Sequence, residues 1–154
     1  MVKAKKTLLY IFSISALFLI QSVFSIGEFK LNLLILPVYY VGFKKGYLKG
    51  LLTGALIGFL EDSFSGGIIG PALLSKGALG IAASYLRGGF FIWRPALGMI
   101  SLFGLCLIDD TIRFISLAIF SDQPTTLKHF LIFALLRAII ISPFGSFIKP
   151  EDGR

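Results

Sequence analysis

Between Gly50 and Asp62 the chain reads GLLTGALIGFLED, a hydrophobic stretch with glycine at every fourth position and a carboxylate at the next step. An α-helix turns about 100° per residue, so residues four apart lie nearly one above another. Gly50, Gly54 and Gly58 therefore form a smooth groove that a second helix can approach closely. In lipid, such small-residue faces are how helices pack, because no hydrophobic effect drives them together. Asp62 continues that face, as either a functional group or one half of a structural ion pair.

The rest of the chain places this helix in a membrane. Of 154 residues, 56% are hydrophobic and only 15% are charged, against about 25% charged in a soluble domain. Six apolar segments separated by short joints are expected to span: Thr7–Ile26, Leu31–Phe43, Leu48–Leu60, Ile68–Leu86, Ala96–Phe120 and Leu127–Ile148. This predicts an all-α integral-membrane bundle of six helices forming a single domain over residues 1–154. The first segment follows Lys3, Lys5 and Lys6 and reads as a retained span rather than a cleaved signal, since no clear small-residue cleavage site follows it. The second and third, at 13 residues each, are shorter than the ~20 residues of a spanning helix. A re-entrant hairpin made of that pair would give four spans and keep the same sides. Pro37 inside the second segment predicts a kink. Pro71 and Pro95 fall near helix starts, where a missing N–H costs nothing.

Loop charge sets the orientation. Six spans with a cytoplasmic N-terminus put Lys3, Lys5, Lys6, Lys44, Lys45, Lys49, Arg87, Arg94, Lys149 and Arg154 inside, and leave only Lys30 and Lys128 outside. That asymmetry follows the positive-inside rule and predicts both termini in the cytoplasm.

Ionisable residues also fall within the spans: Lys76, Asp109, Asp110 and Arg137, with Glu61, Asp62 and Arg113 nearer the ends. At 1.5 Å per residue, Asp62 lies roughly 18 Å and Asp109 roughly 20 Å above the inner ends of their helices. Lys76 and Arg137 lie roughly 12 and 15 Å below the outer ends of theirs. All four share one layer between the middle and the outer third of a core about 30 Å thick. Lys76, Arg113 and Arg137 balance Asp62, Asp109 and Asp110, with Glu61 left over. An unpaired charge at the bilayer centre costs at least ~3 kcal/mol, so mutual pairing is expected. Asp109 and Arg113 are four apart on one helix, in the favourable order, and Asp110 is three from Arg113. Lys76, Asp109 and Arg137 are the candidate partners of Asp62 in this layer. The layer reads first as an ion-pair network fixing helix register. Otherwise it is a polar cavity that binds a small ligand or relays protons, or a set of side chains facing a partner's helix.

No arrangement suits catalysis, a metal or a cofactor. His129 stands alone near the outer surface, and Cys106, the single cysteine, lies inside an apolar helix. The glycine-rich SGGIIG at 65–70 lacks the strand that a phosphate-binding loop requires. RGGFFIWRP at 87–95 mixes arginines with aromatics, but an interfacial loop explains it better than nucleic-acid binding. No enzyme is expected.

Residues 36–86, LPVYYVGFKKGYLKGLLTGALIGFLEDSFSGGIIGPALLSKGALGIAASYL, resemble the MreD family of rod shape-determining membrane proteins. The match is an apolar span with a proline, a short basic joint, a Gly-spaced helix ending in an acid, a glycine break and a small-residue helix. Gly50, Gly54, Gly58, Asp62 and Gly70 fall on the family's characteristic positions, the glycines as helix-packing or partner-binding candidates. Glu61 and the pair Asp109–Asp110 depart from its pattern. The resemblance implies a non-enzymatic subunit of the bacterial cell-elongation machinery in the inner membrane. Such a protein binds an MreC-type partner, works with MreB, RodA-type and class B penicillin-binding proteins, and supports side-wall peptidoglycan synthesis. The runner-up is a small-molecule transporter subunit, similar to the six-span S-components of vitamin transporters, with the charged layer as its ligand site.

Overall fold

The computed structural model describes residues 12, 14–21, 23, 31–66, 68–86, 94–120 and 127–148. The described residues are helical with no strand. After a helical segment at 14–21 come α1 (Ile35–Lys45), α2 (Tyr47–Ser65), α3 (Pro71–Tyr85), α4 (Pro95–Phe120) and α5 (Leu127–Ile141). A 3₁₀ turn over Ser142–Phe147 continues α5. Much of the first expected span, the loops at 87–93 and 121–126, and the lysines before residue 7 lie outside the described residues.

The helices begin and end where backbone chemistry dictates. Pro71 and Pro95 open α3 and α4, at positions whose N–H has no intrahelical partner. Pro37 does not sit mid-helix as expected: α1 starts at Ile35, so Pro37 is the third residue of its first turn and breaks no ladder bond. A single residue, Gly46, joins α1 to α2 at φ 89°, a conformation that side chains rarely adopt. The sixth apolar segment is α-helical only to Ile141; Pro143, which has no N–H to donate, sits in the 3₁₀ turn that follows.

Leu127–Phe147, with 21 residues, is the stretch, among the described residues, that is long and apolar enough to cross a membrane alone, and the mean hydropathy of an 18-residue window within it is 2.0. At 11 and 15 residues, α1 and α3 are shorter than the ~20 of a spanning helix, so helix length does not by itself make six spans.

The predicted glycine groove exists and lies within the chain. α2 and α3 pack antiparallel along most of their length. A Cβ on Gly50, Gly54 or Gly58 would strike the backbone carbonyl oxygen of Gly80, Lys76 or Ala72 respectively. The three contacts step by four residues in opposite directions, so the glycines set both the distance and the register of the pair. Gly80 reciprocates against the Gly50 carbonyl. The groove expected to receive a partner is thus filled by α3.

α1 lies across this hairpin, and α4 packs against α3. Leu34, Val38, Tyr39, Ile57, Leu79, Ala83, Leu102, Cys106 and Ile141 form the core. The 3₁₀ turn folds onto the start of α4, where Gly145 meets the Gly98 carbonyl. Large apolar side chains point outward along every helix from α2 to α5, among them Leu52, Leu56, Leu74, Ile100, Ile115, Leu131 and Ile139. The charged residues of the middle lie inside. Buried charge thus sits beside an apolar core, beneath an outer layer of exposed leucine and isoleucine.

Candidate functional site

Lys76 is the centre of the buried charge. It projects from the second turn of α3, is 0% exposed, and meets residues from two other helices and from the segment ahead of α1. Its Nζ lies 2.7 Å from Glu61 Oε2 on α2 and 3.7 Å from Asp109 Oδ2 on α4. It also donates to Asn32 Oδ1, ahead of α1, at 2.9 Å. The Asn32 amide links the two charges, accepting from Lys76 through its oxygen and donating through Nδ2 to Asp109 Oδ2.

Two arginines complete the set. Arg113 Nη2 donates to Glu61 Oε1 at 2.6 Å, so the glutamate bridges a lysine and an arginine with its two oxygens. Arg137 Nη1 on α5 donates to Asp110 Oδ1 at 2.7 Å. Three cations (Lys76, Arg113, Arg137) thus face three anions (Glu61, Asp109, Asp110). The set is neutral when all six are ionised. Neutrality is what a low-dielectric interior demands, because an unpaired buried charge costs several kcal/mol.

Asp62 stands apart from this network. Its Oδ2 accepts from Gly70 N–H at 2.9 Å and Leu73 N–H at 3.0 Å, and its Oδ1 accepts from Ala72 N–H at 3.0 Å. It therefore caps α3, satisfying otherwise unpaired N–H groups and placing negative charge at the positive end of the helix dipole. The expected pairing of Asp62 with Lys76 or Arg137 is corrected accordingly. The reason lies in the antiparallel register: Gly50, Gly54 and Gly58 meet Gly80, Lys76 and Ala72, so one turn further on α2 passes the start of α3 and meets its N-terminus. Glu61, rotated by about 100° from Asp62, points instead toward α4.

Two further expectations change. Arg113 pairs across helices with Glu61 rather than along α4 with Asp109 or Asp110. Gly70 is no packing glycine, since a Cβ there would meet nothing; it holds φ at 141°, which carries its N–H to Asp62. Lys76, Asp109, Asp110, Arg113 and Arg137 do come together as one cluster. Asn32 went unnoticed in the sequence, although it is the one polar residue in LNLLILP. Gln21 is similar: its Oε1 accepts the Leu34 N–H at 3.3 Å ahead of α1. Tyr39 and Ser101 share a hydroxyl–hydroxyl bond of 3.0 Å between α1 and α4.

Outside the network, His129 is exposed and stacks on Phe133, and Cys106 is a buried free thiol. Among the described residues no group of three or more His, Cys, Asp or Glu side chains could hold a metal. A shallow apolar groove of about 300 Å³ lies between residues 14–19 and α2, lined by Ile14, Phe18, Leu19, Ile57, Leu60 and Phe64. A scan against protein-family models and searches among curated proteins and solved structures find no match to this chain.

Proposed function

We propose that this chain is a multi-pass inner-membrane protein of six spans with both termini in the cytoplasm. Within the membrane it acts as an MreD-like, non-enzymatic scaffold of the cell-elongation complex. Support for the membrane location is the layer of exposed leucine and isoleucine around a bundle that holds Lys76 and Asp109 at 0% exposure. Leu127–Phe147 adds a segment able to cross alone. Support for the family comes from residues 36–86, in which the Gly-spaced helix, its terminal acid and the following small-residue helix form one packed unit.

The observation that favours a scaffold over a transporter is the internal neutrality of the charged network. Lys76, Glu61, Arg113, Asp110 and Arg137 are each engaged with a partner of opposite charge inside the chain. A ligand would have to displace one of these pairs. The scaffold contacts MreC-type and RodA-type partners through helix faces in the bilayer.

The test is co-purification from native membranes together with depletion in the cell. An MreC-type partner recovered with the protein, and rounding of depleted cells, are the expected results. A vitamin-sized ligand bound at micromolar affinity or better by the purified protein, with normal cell shape on depletion, would overturn the reading.

A further inference from the structure

Lys49, Leu52, Leu56 and Leu60 follow one another at steps of three, four and four residues, and so share one face of α2. Leu52 and Leu56 are 55% and 65% exposed, and no other part of the described chain covers them. At the foot of this face the joint around Gly46 gathers Lys44, Lys45 and Lys49 within six residues. Lys44 holds its ammonium 5.0 Å above the ring of Tyr40. Arg94 joins the same end: Asn32, ahead of α1, meets Asp109 and Tyr39 meets Ser101, so α4 runs antiparallel to α1 and begins at the end where α1 gives way to α2. The acids of the described residues lie elsewhere, Glu61 and Asp62 at the far end of α2 and Asp109 and Asp110 within α4.

We propose that this face is a seat for one anionic phospholipid, an inference that rests on the membrane reading above. Charge complementarity fixes the headgroup end, with the phosphate among Lys44, Lys45 and Lys49. Length fixes the rest. From Lys49 to Leu60 the helix rises roughly 16 Å, which is one leaflet of a hydrocarbon core about 30 Å thick. At Leu60 the face runs into the apolar groove between α2 and residues 14–19, which takes the end of an acyl chain. A zwitterionic lipid carries its own cation beside the phosphate and gains little from the lysines. A lipid of net negative charge gains from each lysine near the surface.

The test uses purified full-length protein in vesicles of equal phosphatidylglycerol and phosphatidylcholine, with the retained lipid counted by native mass spectrometry. Phosphatidylglycerol is expected at about tenfold excess or more, falling as salt is raised. The triple variant Lys44→Gln, Lys45→Gln, Lys49→Gln brings the two lipids to within about twofold, whereas Lys128→Gln, at the other end, changes nothing. A photo-crosslinker at position 56 labels phospholipid in native membranes. Equal retention of the two lipids by the unaltered protein, an undiminished preference in the triple variant, or crosslinking of position 56 to a protein helix would overturn the proposal. Vesicle insertion is scored separately: protein that inserts without lipid preference refutes the seat alone, and protein that stays out of vesicles refutes the membrane reading as well.

Discussion

Glu61 Oε2 lies 2.7 Å from Lys76 Nζ, and this pair, rather than the neighbouring Asp62, ties the glycine-spaced helix to the charged interior. The same glutamate holds Arg113 at 2.6 Å. α2 is thereby fastened to α3 by close backbone packing and to α4 by charge. Asp62, one residue on, makes the junction between α2 and α3 by capping. Adjacent carboxylates thus have different partners, set by the rotation between successive helical residues.

Asp62 as a cap predicts a modest, local penalty. Asp62→Ala should destabilise by about 0.5–2 kcal/mol, the usual cost of losing a capping side chain, and Asp62→Asn by less. Glu61→Gln should cost more than either, because it leaves Lys76 and Arg113 short of their shared anion. Denaturant titration in mixed micelles ranks the three. A larger loss for Asp62→Asn than for Glu61→Gln would reverse the assignment.

The glycines should not be equivalent. Gly54→Ala drives a methyl into the Lys76 carbonyl and should cost about 1–3 kcal/mol, the range for overpacking. Gly104 on α4 faces open space, so Gly104→Ala should leave stability unchanged or raise it by up to about 1 kcal/mol through helix propensity. Unfolding midpoints of the two variants in one detergent provide the comparison.

Asn32 should prove essential to the network although it carries no charge. Asn32→Leu removes both the acceptor for Lys76 and the donor for Asp109. Leaving two buried charged groups each short of a hydrogen bond should cost several kcal/mol. Asn32→Gln, which keeps the chemistry but displaces it, should fall between that variant and the unaltered chain. Thermal unfolding followed by circular dichroism reads this order.

How much of this was legible follows from geometry. The spacing of Gly50, Gly54 and Gly58 announces a close helix contact, because backbone approach depends only on which side chains are missing. The shared depth of Lys76, Asp109 and Arg137 is likewise fixed by helical rise. Pairing is different, since it depends on rotation and on where the facing helix ends. Nothing local separates Glu61 from Asp62 until the register of Gly54 against Lys76 is known; only then does Asp62 fall at the bare N-terminus of α3. Glu61, the surplus acid of the sequence count, becomes the bridging one for that reason. Asn32 carried a signal, a lone amide in an apolar run, but its meaning requires the fold that brings residues 32, 76 and 109 together.

The most direct test of the neutral network is the pair Lys76→Met and Asp109→Asn, singly and together. Lys76→Met leaves the interior with a net negative charge and should cost about 3–5 kcal/mol. Combining it with Asp109→Asn restores neutrality, so the double variant should be more stable than the sum of the single losses by about 1.5 kcal/mol or more, within the range for groups in one buried network. Losses that add to within about 0.5 kcal/mol would show that Lys76 and Asp109 are independent, and would contradict the account.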